Sequence, residues 1–119
     1  MSEIIFEEKT EEKGYRVSVL GVKLDNGIVV VVTDTTYKMG TLVLATPSTL
    51  PEVGKKAISS LLTAFDVKGE VVARAIAERL AIELGTAVLT IVNLKEKSME
   101  KYRIVVKCID KLIKRLKGL

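Results

Sequence analysis

Five consecutive apolar residues, Ile28 to Val32, form the feature that most restricts how this chain can fold. Neighbouring side chains of a β-strand point to opposite faces. A strand made from this run is therefore apolar on both faces, and each face needs a cover. Asn26-Gly27 precedes the run, and Asn-Gly between two strand patterns is typical of a hairpin whose two central residues tolerate positive φ.

Short runs of β-branched and apolar residues predict six strands, including this one. The expected ranges are 3–10, 15–24, 28 to about 35, about 40–46, 56–65 and 86–94. The last of these is again apolar on both faces. Residues 36–38 are expected to form a turn. Segment 47–54 is expected to be an irregular loop, because its two prolines have no backbone N–H to donate to a ladder.

Apolar residues that recur every three to four positions predict two helices. The first spans 70–84 and ends at Gly85, which suits the left-handed position after a helix. The second spans about 99–117, with the Ser98 hydroxyl expected to cap its first turn. The basic residues of this helix lie mostly outside its apolar stripe; they are Lys101, Lys107, Lys111, Lys114 and Arg115.

Two helices are too few to cover both faces of such a sheet. Six strands spaced about 4.8 Å apart make a sheet roughly 25 Å wide, and one helix covers about 10 Å. The second face would exceed the few hundred Å² of apolar surface that a soluble monomer usually exposes, and two-fold dimers are the commonest assemblies. We therefore predict a single α+β domain over residues 1–119, with mostly antiparallel strands, two helices on one face and a homodimer formed through the other. The expected interface residues are Val29, Val30, Val31, Leu42, Val43 and Leu44.

The composition excludes several kinds of active site. The chain has no histidine, which removes Ser-His-Asp and Cys-His nucleophiles and every histidine metal site. The single cysteine, Cys108, cannot form an intramolecular disulfide and lies in a helical apolar pattern, so it is expected to fill the core. We expect no metal and no cofactor.

The remaining polar residues give only weak signals for catalysis. Ser48, Ser59 and Ser60 are candidate nucleophiles, for which the only available base would be a lysine, Lys55 or Lys56. Lys68-Gly69 at a helix start lacks the glycine density of a phosphate loop. No pair of carboxylates is placed on one local element, and these residues are expected in turns or on solvated faces: Asp25, Asp34, Asp66, Glu78 and Glu83. The sequence favours a protein that is not an enzyme.

Charge, hydropathy and composition restrict the expected cellular location, the class of partner and the growth temperature. The apolar runs are far shorter than the ~20 residues of a membrane span, and the first residues lack the pattern of a secretion signal, so we expect a cytoplasmic protein without membrane contact. The net charge is +4, and the five aromatic residues are not interleaved with basic ones, which disfavours nucleic-acid binding. Abundant Lys, Glu, Val and Ile, with no Gln or Trp, are typical of a thermophile.

Two segments carry a family resemblance: "YKMGTLVLATPSTL" (37–50) and "LKEKSME" (94–100). Their order and spacing resemble the proteasome assembly chaperone family, third-member type. In that family a Lys-Met-Gly-Thr turn opens a strand that runs into a Pro-Ser loop, and a Lys-Ser-Met-Glu segment begins the last helix. The heat-adapted composition indicates an archaeal-like homologue.

The resemblance implies a non-enzymatic chaperone that dimerises, binds proteasome α-type subunits and assists 20S proteasome assembly. It also implies which segments contact the partner: the loop after the fourth strand, the Lys-Met-Gly-Thr turn and the Lys-Ser-Met segment. The partner-binding residues are then Pro47, Ser48, Thr49, Leu50, Pro51, Glu52, Val53, Lys55, Lys38, Met39, Lys97, Ser98 and Met99.

Two alternative functions remain open from the sequence. One is a dimeric scaffold of the roadblock or longin kind that regulates GTPases. Those folds usually place a helix among the early strands, and none fits before residue 66. The other is a basic nucleic-acid-binding protein that uses its last helix.

Overall fold

A computed structural model describes residues 3–48, 57–63 and 67–118, and the predicted elements occur in it in the predicted order. They are β1 (Glu3–Glu12), β2 (Tyr15–Leu24), β3 (Gly27–Thr33), β4 (Thr41–Pro47), β5 (Ala57–Thr63), α1 (Val67–Leu84), β6 (Ala87–Asn93) and α2 (Met99–Leu116). The α+β class is confirmed. Five strands precede the first helix within the described residues, which disagrees with the element order of the roadblock and longin scaffolds.

The strands form one sheet in the order β1-β2-β3-β6-β4-β5. The β3–β6 pair is parallel and the other four pairs are antiparallel, so the expectation of mostly antiparallel strands is confirmed. Since β3 and β6 run side by side in one direction, both end at the same end of the sheet, where antiparallel β4 begins. The segments that follow β3 and β6 therefore meet there, and they form the candidate site.

Both helices lie on one face of the sheet. α1 packs against β4, β5 and β6, and α2 packs against β1 and β2. Their apolar stripes meet inward-pointing strand residues in a single core, whose largest fully buried members include Leu80, Ile109 and Leu112. Cys108 is buried in this core as expected, and burial raises the pKa of its thiol.

The alternation of β3 and β4 corrects the predicted dimer interface. Val30 and Val43 point toward the helices and are completely buried in the core, so neither can contact a second molecule through the other face. A strand presents only every second residue to one side. Val29, Val31, Leu42 and Leu44 lie on the side opposite the helices, as their positions in the strand registers require.

The hairpin between β2 and β3 differs from its predicted geometry. Leu24 pairs with Gly27, so the two turn residues are Asp25 and Asn26, and Gly27 is the first residue of β3. Neither turn residue has positive φ. Gly27 is required for a different reason: a Cβ there would lie 2.7 Å from the carbonyl oxygen of Ala87 on the adjacent strand.

Candidate functional site

Asp34 joins the two segments that meet at the end of the sheet. It follows β3 directly, and its carboxylate accepts hydrogen bonds from the backbone N–H groups of Lys95, at 2.9 Å, and Glu96, at 3.0 Å. Both donors belong to the segment that follows β6. The Lys101 ammonium, in the first turn of α2, donates to the same carboxylate at 3.3 Å. One carboxylate thus fixes the segment after β3, the segment after β6 and the start of α2.

Lys101 is buried, against the expectation that it lies outside the apolar stripe of α2. Its side chain is 5 % exposed and that of Asp34 is 4 % exposed. The Lys101 ammonium also donates to the carbonyl oxygen of Arg16 at 3.0 Å and lies 5.9 Å from the centre of the Tyr15 ring. The hydrogen bonds and the counter-charge compensate for the loss of water around the ammonium.

The environment of Asp34 lowers the pKa of its carboxyl group. Burial acts most strongly and raises the pKa, but the hydrogen bonds from Glu96 and Lys95 and the charge of Lys101 together outweigh it. Asp34 is therefore the ionised partner in a stable, buried ion pair. No local pattern indicates this pair, because its two members are far apart in the chain and each looks like an ordinary surface residue.

The Lys-Ser-Met segment is held by a helix cap. Ser98 is the N-cap of α2, as predicted, and its hydroxyl accepts a hydrogen bond from the Lys101 backbone N–H at 3.2 Å. Lys97 is half-buried and Met99 is 64 % exposed. The cap accounts for Ser98 structurally, which leaves Lys97 and Met99 as the members of this segment that a partner could contact.

The Lys-Met-Gly-Thr segment lies beside it. Gly40 packs directly on β6, where a Cβ would lie 2.3 Å from the carbonyl oxygen of Val92, so no other residue fits. The Asn93 amide donates to the Met39 carbonyl oxygen at 2.8 Å. Lys38 is exposed and Met39 is 59 % exposed. The structure therefore brings together two of the three segments implied by the family resemblance.

A cleft of about 260 Å³ opens between these segments and the first turns of both helices. We call it the end cleft, and its defining residues are Gly40, Thr41, Val72, Leu94, Lys95, Lys97 and Tyr102. Val72 comes from α1, whereas Tyr102 comes from α2. The cleft is thus built from residues that are distant in the sequence, and no periodicity or motif indicated it.

The third segment is the loop after β4, which is largely outside the described residues. Pro47 is the last residue of β4 rather than a loop residue, and Ser48 follows it; both are half-buried. Thr49, Leu50, Pro51, Glu52, Val53 and Lys55 lie outside the described residues, so their predicted role in partner binding stays a prediction.

Ser59, one of the candidate catalytic serines, has a structural role. Ser59 points to the helix side, where its hydroxyl donates to the Glu78 carboxylate and accepts from the Arg74 guanidinium at 2.8 Å. Arg74 is itself paired with Glu70 at 2.9 Å. The hydrogen bonds of Ser59 link β5 to α1. Among the described residues, no group of three or more Cys, Asp or Glu side chains is placed to hold a metal ion.

The segment after β3 covers part of the sheet face opposite the helices: the Tyr37 hydroxyl donates to the Glu7 carboxylate at 3.0 Å, and Ser18, Val31 and Thr33 are buried there. The rest of that face is largely apolar. We call it the open face. Its apolar residues, assigned from the strand registers, are Leu20, Val22, Val29, Val31, Leu42, Leu44, Ile58, Leu62, Leu89 and Ile91. Leu44 is 38 % exposed, and Ile58 and Leu62 on edge strand β5 are more exposed still. A continuous apolar surface of this kind is the usual mark of an interaction site.

Neither helix in the described part of the chain combines the length and apolar content needed to cross a bilayer.

Comparison with known proteins identifies the fold. No protein-family model matches the sequence, and no curated protein matches it significantly. Among solved structures, the chain is similar to a chain in the crystal structure of a chaperone complex for yeast 20S proteasome assembly. The TM-score is 0.71 at 15 % sequence identity, and the alignment covers 97 % of this chain and 98 % of the other. At this identity the match demonstrates a common fold over almost the whole length of both chains.

Proposed function

We propose that this protein is a non-enzymatic chaperone that binds proteasome α-type subunits and assists assembly of the 20S proteasome. The observation that carries the proposal is the fold match to a chain of a yeast 20S proteasome assembly chaperone complex, which extends over 97 % of this chain. The two motif-bearing segments supply independent support, because their resemblance to the same family was drawn from residues rather than from the fold. A shared fold alone does not determine function.

We further propose that the working form is a homodimer, joined through the open face. The open face carries apolar side chains on at least five neighbouring strands, and covering it with a second copy gives four layers: helices, sheet, sheet, helices. Of the predicted interface residues, Val29, Leu42 and Leu44 are in position to contribute, whereas Val31 on the same side is only 9 % exposed. Burying apolar surface contributes about 25 cal/mol per Å², so a face several strands wide can supply the free energy of a stable dimer.

The surfaces left for the α-type subunit are those outside the dimer seam. They comprise the segments around the end cleft, with Lys38, Met39, Lys97 and Met99, and the loop that begins at Pro47. A chaperone that leaves its client needs modest contact area and polar contacts rather than a wide apolar seam. We place this activity in the cytoplasm of a heat-adapted, archaeal-like cell.

The direct test is capture of a purified α-type subunit. Equal amounts of tagged protein and α-type subunit are mixed, recovered on the tag, and washed at low and high salt. We expect stoichiometric recovery of the subunit and faster appearance of assembled rings when the protein is present. Failure to recover any α-type subunit, with the protein folded by circular dichroism, would refute the chaperone proposal.

The dimer is tested separately by a charge placed on the open face. Leu44→Asp is expected to convert the dimer to a monomer in sedimentation velocity, because a carboxylate cannot be buried unpaired in the seam. Val106→Asp is the matched control: Val106 is 50 % exposed beside the groove between α1 and α2, on the helix side of the sheet, so this variant should sediment as the parent does. A parent protein that sediments as a monomer at micromolar concentration would exclude the homodimer.

A further inference from the structure

The end cleft has the size of a side-chain socket. Its volume of about 260 Å³ lies below the range of roughly 300–1,000 Å³ that is typical of sites for cofactors and drug-sized ligands. It accommodates one large apolar side chain with adjoining backbone. The size therefore points to a protein segment as its occupant rather than to a nucleotide or cofactor.

Contacts within the chain hold two walls of the cleft in place. One wall is formed where Gly40 packs against the Val92 carbonyl, so closely that residue 40 can carry no side chain. The segment of Lys95 is fixed by its hydrogen bond to Asp34, and the Asn93 amide fixes the Met39 carbonyl. A preformed socket loses little conformational entropy on binding, so even a small contact area can yield useful affinity.

The chemistry of the lining is apolar at the walls and positive at the mouth. Val72, Leu94 and Tyr102 supply apolar surface, whereas Lys95 and Lys97 supply charge, and no carboxylate lines the cleft among the described residues. Lys38, two residues before Gly40 in the chain, is a further exposed cation of the adjoining segment. Two carboxylates are near in sequence, Glu96 and Glu100; Glu96 lies 3.9 Å from the Lys101 ammonium, to which it is already attracted.

Two exposed methionines extend the apolar surface. Met39 precedes Gly40, and Met99 lies one helical turn before Tyr102. Methionine side chains are flexible and adapt to differently shaped apolar partners. The cleft therefore combines an apolar lining, flexible methionine side chains beside it and lysine residues near its opening.

We propose that the end cleft receives one apolar side chain of an acidic segment of the partner protein, whose flanking carboxylates pair with Lys95 and Lys38. The charge complementarity selects the acidic class of segment, and the volume selects a single anchor residue. This inference rests on the proposed function only in taking the partner to be the α-type subunit. The recognition chemistry itself is a property of the cleft.

A peptide titration tests the chemistry without the subunit. The probes are acetyl-Glu-Asp-Leu-Glu-Asp-amide, the same peptide with Ala in place of Leu, and acetyl-Lys-Lys-Leu-Lys-Lys-amide, each added to the isotopically labelled protein and followed by amide chemical shifts. We expect the acidic Leu peptide to shift the amides of Gly40, Thr41 and Lys95, with weaker binding of the Ala peptide and none of the basic one. Equal shifts from the basic peptide, or no shifts near the cleft, would overturn the proposal.

Charge reversal provides the matched comparison. Lys95→Glu is expected to weaken the acidic peptide about threefold or more, because it exchanges an attraction for a repulsion. Lys114→Glu makes the same charge change on an exposed residue in the last turns of α2 and should leave the affinity unchanged. Inorganic phosphate is titrated as well. Phosphate shifts in the same amides that compete fully with the peptide would identify an anion site and overturn the segment proposal.

The same variants separate this inference from the proposed function. If Lys95→Glu captures the α-type subunit as well as the parent does, the cleft proposal fails while the chaperone proposal stands. If the acidic peptide binds the cleft and no α-type subunit is captured, the chaperone proposal fails, whereas the proposal that the cleft binds an acidic segment stands. Loss of capture in Lys95→Glu, but not in Lys114→Glu, supports both.

Discussion

The Lys101 ammonium lies 3.3 Å from the Asp34 carboxylate, and both side chains are almost completely buried. The pair joins α2 to the segment after β3. With the backbone N–H groups of Lys95 and Glu96, which also donate to Asp34, it fixes the segment that supplies Lys95 to the end cleft. The stability of this arrangement determines whether the segments carrying Lys38, Met39 and Lys97 keep their relative positions.

Lys101→Met is expected to lower the free energy of unfolding by about 3 kcal/mol, because it leaves the Asp34 charge buried without its cationic partner. Adding Asp34→Asn to Lys101→Met should restore part of the loss, with a coupling of about 1 kcal/mol or more in a double-mutant cycle measured by urea denaturation. Lys114→Met is the control and should change stability by less than about 0.5 kcal/mol. Strictly additive losses would show that the two side chains do not interact.

Acid should destabilise the protein partly through Asp34. Because the pKa of this carboxyl is lower in the folded protein than its ordinary value of 3.8, its contribution is fully present above that value and is lost as the pH falls through the folded pKa. Denaturation midpoints measured from neutral pH down to about pH 2 should therefore fall less steeply in Asp34→Asn than in the parent. An identical acid dependence in the two proteins would contradict this assignment.

Tyr37 should titrate well above the ordinary range of a tyrosine phenol. Burial, together with its 3.0 Å hydrogen bond to the Glu7 carboxylate, raises the pKa of its phenol to about 12. A pH-jump absorbance titration should show a phase near that pH in the parent protein and in Tyr102→Phe, and should lack it in Tyr37→Phe. The raised pKa also means that this stabilising contribution is lost as the pH rises from the ordinary value of 10.0 toward about 12. Persistence of the late phase in Tyr37→Phe would refute the assignment.

Two fully buried threonines should respond in opposite directions to the same substitution. The Thr90 hydroxyl has no hydrogen-bond partner, so Thr90→Val should stabilise the protein by about 1 kcal/mol. The Thr33 hydroxyl accepts from the Thr35 N–H at 3.1 Å and donates to the Thr36 carbonyl at 3.2 Å, so Thr33→Val should destabilise it by about 1–2 kcal/mol. Thermal and urea unfolding measure both, and a destabilised Thr90→Val would mean that this hydroxyl has a partner.

Gly40→Ala should destabilise the protein by about 2 kcal/mol or more, because its Cβ meets the backbone carbonyl of Val92, which cannot move without disturbing β6. Gly21→Ala is the matched control, since its nearest new contacts are side-chain atoms at 3.4 Å and its φ is not positive. We expect a loss of less than about 1 kcal/mol there. Similar losses in the two variants would argue against a close approach at Gly40.

Some of the candidate site was accessible from local patterns. The Ser98 cap was predicted because capping involves residues only three positions apart. The exposed pair Lys38-Met39 belongs to the Lys-Met-Gly-Thr motif, so the sequence alone points to it. The end cleft and the Asp34–Lys101 pair were not predicted, since they depend on which strand ends become neighbours. These strand ends become neighbours because β6 lies between β3 and β4 in the sheet. The sequence of a strand says little about which strands it will pair with.

Local patterns in the sequence are enough to predict the eight elements and the apolar character of both faces of the sheet. Periods of two and about 3.6 residues reflect local backbone geometry, so neither prediction needs a structure. The packing of the helices sets which side of the sheet is the core, and it puts Val30 and Val43 in the core and Val29 and Leu44 on the opposite side. Only the tertiary structure decided that Lys101 is buried and that Gly27 serves a close approach rather than a turn. These outcomes depend on contacts between segments distant in the chain, where burial and steric exclusion override local preference.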